Sequence, residues 1–102
     1  MKAIIEGKRY NTASATRVAG LGYGNDGDFH SWGAGLYVTA KGAWFRAGWG
    51  GAYSRWGRTE GGNSYGGDGI IPILEDEAQD LLEREGDGDA IEDYFGAQVL
   101  DA

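Results

Sequence analysis

The sequence predicts an α+β fold: a single small domain in which an antiparallel sheet of about four to five strands packs against a C-terminal acidic helix. Three features carry that expectation. Apolar residues alternate at period two through the middle of the chain, glycines punctuate those runs, and at Glu75 the apolar period becomes helical. With 102 residues, 41% hydrophobic and 13% aromatic, the chain holds enough apolar matter for one core and is too short for two. One domain, 1–102, is therefore expected, with 75–102 as its acidic helical region.

In chain order, Ala3-Ile4-Ile5 and Lys8-Arg9-Tyr10 read as two short strands around a Glu6-Gly7 turn, where glycine supplies the positive φ of a two-residue hairpin. Thr12 is placed to cap a short helix through about Ala19, ended by Gly20. Gly20 to Gly35 reads as a polar, glycine-rich loop that passes into a strand near Phe29 to Trp32.

Leu36-Tyr37-Val38-Thr39 and Ala43-Trp44-Phe45-Arg46-Ala47 flank Ala40-Lys41-Gly42 as a second hairpin. Alternation sets Leu36 and Val38 against Tyr37 and Thr39, and Phe45 and Ala47 against Trp44 and Arg46. A turn is expected at Gly48 to Gly51, then a strand around Ala52 to Trp56. Gly61 to Gly67 reads as irregular chain leading to Ile70-Ile71-Pro72-Ile73-Leu74. Pro72 has no backbone donor, so that run belongs at a sheet edge.

From Glu75, Ala78, Leu81 and Leu82 share one helix face, and Asp76, Asp80 and Glu83 line the opposite one. Gly86 to Gly88 breaks the helix. Asp89-x-x-Glu92 has the form of a capping box opening a last turn or two, with Ile91, Tyr94 and Phe95 on the apolar side.

Charge is distributed unevenly. The last 28 residues hold 11 of the 16 carboxylates and only one base, Arg84, for a net −10, while the first 74 carry +3 and the whole chain −7. A field of one sign attracts cationic surfaces and repels nucleic acid and anionic lipid. The chain has no cysteine, which excludes disulfides, thiolate metal sites and cysteine nucleophiles. It also lacks an apolar run long enough for a membrane span, and a secretory signal pattern. Cytoplasmic localisation, no cofactor and no enzymatic activity are the expectations.

Motifs for chemistry are weak. Taking Glu85, Asp87 and Asp89 as the start of a calcium loop puts Ala90 where that loop needs glycine and Gly96 where it needs glutamate. Gly22-x-Gly24-x-x-Gly27 matches the dinucleotide fingerprint by letter, without its strand and helix. There is no nucleophile elbow and no phosphate loop. His30, the sole histidine, leaves open only a small enzyme using Asp26, Asp28 and His30, with no recognisable nucleophile beside them.

Two binding surfaces remain. Glu75, Asp76, Glu77, Asp80, Glu83, Asp87, Asp89, Glu92 and Asp93 form a candidate acidic face, against the plainer reading of a solubilising helix surface. Trp49, Trp56 and Tyr65, amid Trp32, Trp44, Tyr37, Tyr53, Arg46, Arg55 and Arg58, form a candidate aromatic surface for protein or carbohydrate. The plainer reading there is core, since a small sheet must fill its interior. Arg55 and Arg58 are expected to reach the acidic region.

The stretch Leu36 to Phe45, continuing through Gly48-Trp49-Gly50-Gly51-Ala52, Gly62-Asn63-Ser64 and Ile70 to Ala78, resembles a family of small proteins of phages and bacterial mobile elements. The opening Ile4 to Thr12 is similar to that family's usual start, with Glu6 where asparagine is common. The resemblance covers most of the chain but transfers no functional residue. It implies a role like that of anti-CRISPR inhibitors: binding a host CRISPR-Cas effector subunit through an acidic, nucleic-acid-mimicking surface and blocking DNA or PAM recognition, without contacting nucleic acid or membrane directly. The alternative is an accessory phage or mobile-element module that binds through the aromatic region.

Overall fold

The structure is a computed structural model and describes residues 1–23, 32–51, 56–60, 63–65, 67–85 and 87–102. The chain opens as the expected hairpin, β1 (Lys2–Ile5) paired antiparallel with β2 (Lys8–Asn11). Its two turn residues both lie at positive φ, Glu6 at 51° and Gly7 at 78°. That is the backbone of a turn whose twist matches that of the flanking strands.

After the hairpin the chain departs from expectation. No helix forms between Thr12 and Ala19. Asn11 shapes a single turn: its side-chain oxygen accepts from Ala13 N at 2.9 Å, and its carbonyl accepts from Ser14 N and Ala15 N at 3.2 and 3.0 Å. β3 (Thr16–Tyr23) then runs through Gly20, where the helix was expected to end. The physical reason is pairing: β3 lies antiparallel along β4 (Trp32–Val38) from Thr16↔Val38 to Tyr23↔Trp32, with a bulge between Arg17 and Ala19. Helix over so few residues is marginal by itself, so a full ladder with a neighbour outweighs local propensity.

Gly33 and Gly35 are likewise strand residues of β4 rather than loop. Of the strand expected near Phe29 to Trp32, only Trp32 is among the described residues. β5 (Trp44–Gly50) follows from the predicted hairpin, in register Val38↔Trp44. Thr39 N donates to Ala43 O at 2.8 Å, and Gly42 supplies the left-handed conformation at φ 87°.

The turn expected at Gly48 to Gly51 is also corrected, because β5 continues through Gly50. Gly48 serves close approach rather than turning: a Cβ there would lie 2.6 Å from Ala34 Cβ. Most of the strand expected at Ala52 to Trp56 falls outside the described residues. The stretch Gly61 to Gly67, expected to be irregular, contains β7 (Asn63–Tyr65), which pairs with β6 (Arg58–Glu60) just before it, and β8 (Gly67–Ile73) starts ahead of the apolar run. The main sheet has the order β3-β4-β5-β8, so Pro72 stands on an edge strand as its missing donor requires.

Alternation along the strands gives the sheet two buried faces. Leu21, Ala34, Leu36 and Trp44 meet Ala78, Leu82, Ala90 and Phe95 of the C-terminal helices. On the other face the β1–β2 hairpin covers Phe45 and Ala47 with Tyr10. Phe45, fully buried, stacks on Tyr37 at 5.2 Å and meets Tyr10 edge-on at 5.5 Å. The result is a three-layered α+β domain, with the hairpin layer not foreseen from sequence.

Candidate acidic binding surface

α1 (Glu75–Glu85) starts after Leu74, whose carbonyl accepts from Ala78 N at 3.0 Å. Glu75, Asp76 and Glu77 occupy its first turn, the end the helix dipole favours for acids, while Arg84 stands in its last turn between Glu83 and Glu85. Ala78 and Leu82 are fully buried against the sheet and Leu81 is half-buried. That docking turns Glu75, Asp76, Glu77, Asp80 and Glu83 outward, and all five are exposed.

α2 (Gly88–Phe95) begins two residues earlier than the predicted capping box implies. Asp87 is the N-cap, and its carboxylate accepts from Ala90 N at 3.1 Å. Asp89 is therefore a first-turn residue, and the reading of Asp89-x-x-Glu92 as a capping box is corrected. Ala90 and Phe95 are buried, whereas Asp89, Glu92 and Asp93 are exposed.

Trp44 anchors this helix: it stacks on Phe95 with ring centroids 5.2 Å apart and meets Tyr94 edge-on at 5.3 Å. The carboxylates thus stand on two helices fixed to the sheet. Asp87, half-buried, uses one oxygen on the backbone. Among the described residues, no ion pair joins the other acids of the set to a basic side chain. Arg55 lies outside the described residues, as does the side chain of Arg58, so the contacts expected of them fall there too.

The aromatic candidates divide. Trp56 is 6% exposed and belongs to the core, so it presents no surface to a partner. Trp49 is 52% exposed on the opposite side of the sheet from the helices. Its indole lies against Gly33, where a Cβ would come within 2.9 Å of Cζ2. With Arg17, Tyr37, Gly33 and Gly35 it lines a groove of about 400 Å³. Tyr65 lies in β7 with its side chain outside the described part, and Asp26, Asp28 and His30 lie outside the described residues.

Folding also gathers residues that sequence reading did not connect. Lys8, Arg9 and Lys41 surround a cavity of about 570 Å³ between the β1–β2 hairpin and the β4–β5 turn. Lys41 is distant in sequence from the adjacent Lys8 and Arg9, and only hairpin docking brings it to them. Arg46, 6% exposed, is buried beneath α1, a position that strand alternation placed beside Trp44 on the helix side. Its burial could not be read from a single strand.

Among the described residues no group of three or more His, Cys, Asp or Glu is close enough to hold a metal ion. Nor is any helix long and apolar enough to cross a membrane. Comparison of the chain with known protein families, with curated proteins and with solved structures finds no match.

Proposed function

We propose that the protein is a non-enzymatic, anti-CRISPR-type inhibitor whose acidic helical surface occupies a basic nucleic-acid-binding surface of a host CRISPR-Cas effector and blocks DNA or PAM recognition. One observation carries the reading: the carboxylates of α1 and α2 are exposed on helices held to the sheet, and, Asp87's cap aside, are not engaged within the described fold. Asp76, Asp80 and Glu83 recur at roughly 5–6 Å along one side of α1. Carboxylates at that interval stand in for the phosphates of a single strand. Their summed field raises the rate of encounter with a cationic channel by about 10–10³-fold.

The test is interference in a bacterial host with an active CRISPR-Cas system, comparing the parent with an Asp76→Asn, Asp80→Asn, Glu83→Gln variant of unchanged circular dichroism. The variant is expected to lose inhibition, and effector binding by the parent to weaken steeply as salt rises. Equal inhibition by the neutralised protein rules out mimicry.

A second reading rests on Trp49, a large aromatic half-exposed beside a glycine-floored groove. In that reading the chain is an accessory phage or mobile-element module binding protein or carbohydrate. Trp49→Ala then abolishes binding, and neutralising the helices changes little.

A further inference from the structure

The acidic face contains a cavity that solvation alone does not explain. It measures about 270 Å³ and is lined by Arg46, Glu77, Asp80, Leu81 and Arg84. The last four fall at i, i+3, i+4 and i+7 and so share one side of α1. Arg46 rises from β5 below them.

Its Nε is buried without a hydrogen-bond partner, and the residue as a whole is only 6% exposed. A guanidinium keeps its charge at every physiological pH, so burial cannot be relieved by losing a proton. A buried donor left unsatisfied is among the costlier features of a fold, so Arg46 is a cation that the surrounding fold leaves uncompensated.

The charges around the cavity define what fits. A simple anion drawn to Arg46 and Arg84 must pass Glu77 and Asp80. A simple cation drawn to those acids meets Arg46 beneath it. A molecule carrying both charges within a short span is complementary to all four groups. The volume lies just below the range of drug-sized pockets, so the molecule is small.

We propose that this cavity binds a small zwitterion of the α-amino acid class. The carboxylate is directed to Arg46 and Arg84, the ammonium to Glu77 and Asp80, and a short aliphatic side chain to Leu81. The site shares Glu77 and Asp80 with the proposed inhibitor surface but needs no macromolecular partner, so absence of zwitterion binding leaves the inhibitor reading standing and loss of inhibition leaves this site standing.

The test uses the full chain and three related probes: 2-aminobutyrate, butyrate, which lacks the ammonium, and propylamine, which lacks the carboxylate. Calorimetry and amide chemical-shift titration are expected to show saturable millimolar binding of 2-aminobutyrate, with shifts centred on Arg46, Glu77, Asp80, Leu81 and Arg84. Each singly charged analogue is expected to bind at least about tenfold more weakly.

Arg46→Met is expected to abolish binding while remaining folded, because an apolar replacement for a buried arginine is commonly tolerated. Asp80→Asn, at an exposed position, weakens binding by about tenfold and serves should the first variant fail to fold. No saturable response to 2-aminobutyrate, equal binding of either analogue, or unchanged binding by folded Arg46→Met or by Asp80→Asn overturns the proposal.

Discussion

Trp44 of β5 stacks on Phe95 of α2, ring centroids 5.2 Å apart and planes 24° from parallel. This contact joins the first residue of a central strand to the last residue of the acidic helix. It makes the orientation of the α2 carboxylates a property of the sheet. Trp44→Ala removes a side chain only 4% exposed, together with its contacts to Tyr94 and Phe95. A loss of about 3–5 kcal/mol is expected, read from urea denaturation followed by far-UV circular dichroism.

Gly48 and Gly69 are cross-strand partners in β5 and β8, yet their surroundings differ. A Cβ on Gly48 would lie 2.6 Å from Ala34 Cβ and 2.9 Å from its Cα, whereas one on Gly69 meets nothing within 4 Å. Gly48→Ala is therefore expected to destabilise by about 1–3 kcal/mol, since backbone must move to admit the methyl. Gly69→Ala should stay within about 0.5 kcal/mol of the parent. Thermal unfolding of the two variants side by side measures the difference.

Asp87 caps α2 and Asp89 does not. Asp87→Ala leaves Ala90 N without its 3.1 Å acceptor and is expected to cost about 0.5–2 kcal/mol. Asp89→Asn, exposed in the first turn, should change stability by no more than about 0.5 kcal/mol. If chemical denaturation ranks the two the other way round, the cap is misassigned.

Glu6 holds φ at 51°, a left-handed conformation that costs an ordinary side chain about 1–2 kcal/mol and asparagine less. Glu6→Asn should therefore raise stability by a few tenths to about 1 kcal/mol, visible as a higher unfolding midpoint. It leaves the helical carboxylates untouched, so the acidic-surface reading expects no change in inhibition.

Much of the architecture was legible because the relevant signals are local. The Glu6-Gly7 turn, the hairpin around Gly42, the edge position of Pro72 and the leucine face of α1 each follow from a few neighbouring residues. Strand β3 was not recognised because Ala13, Ala15 and Val18 suggest helix. The alternation Ala19-x-Leu21-x-Tyr23 was present, but Gly20 and Gly22 read as breakers. Those glycines sit opposite Gly35 and Gly33 in the sheet, a pairing that one strand cannot reveal.

The candidate site divides in the same way. Charge and helical period, both properties of the chain, marked out the acids. Whether a side chain near them is buried depends on which elements meet: Trp56 enters the core, Trp49 stays outside, and Arg46 is covered by α1.

The amino-acid order alone determined the α+β class, two hairpins, the acidic helix and the uneven charge, because turn chemistry and periodicity act over a few residues. Tertiary structure alone decided that the sheet is covered on both faces, that β3 is a strand, and that Lys8, Arg9 and Lys41 converge. Those outcomes depend on contacts between residues distant in sequence, whose gain from burial and ladder pairing exceeds the small differences in local propensity.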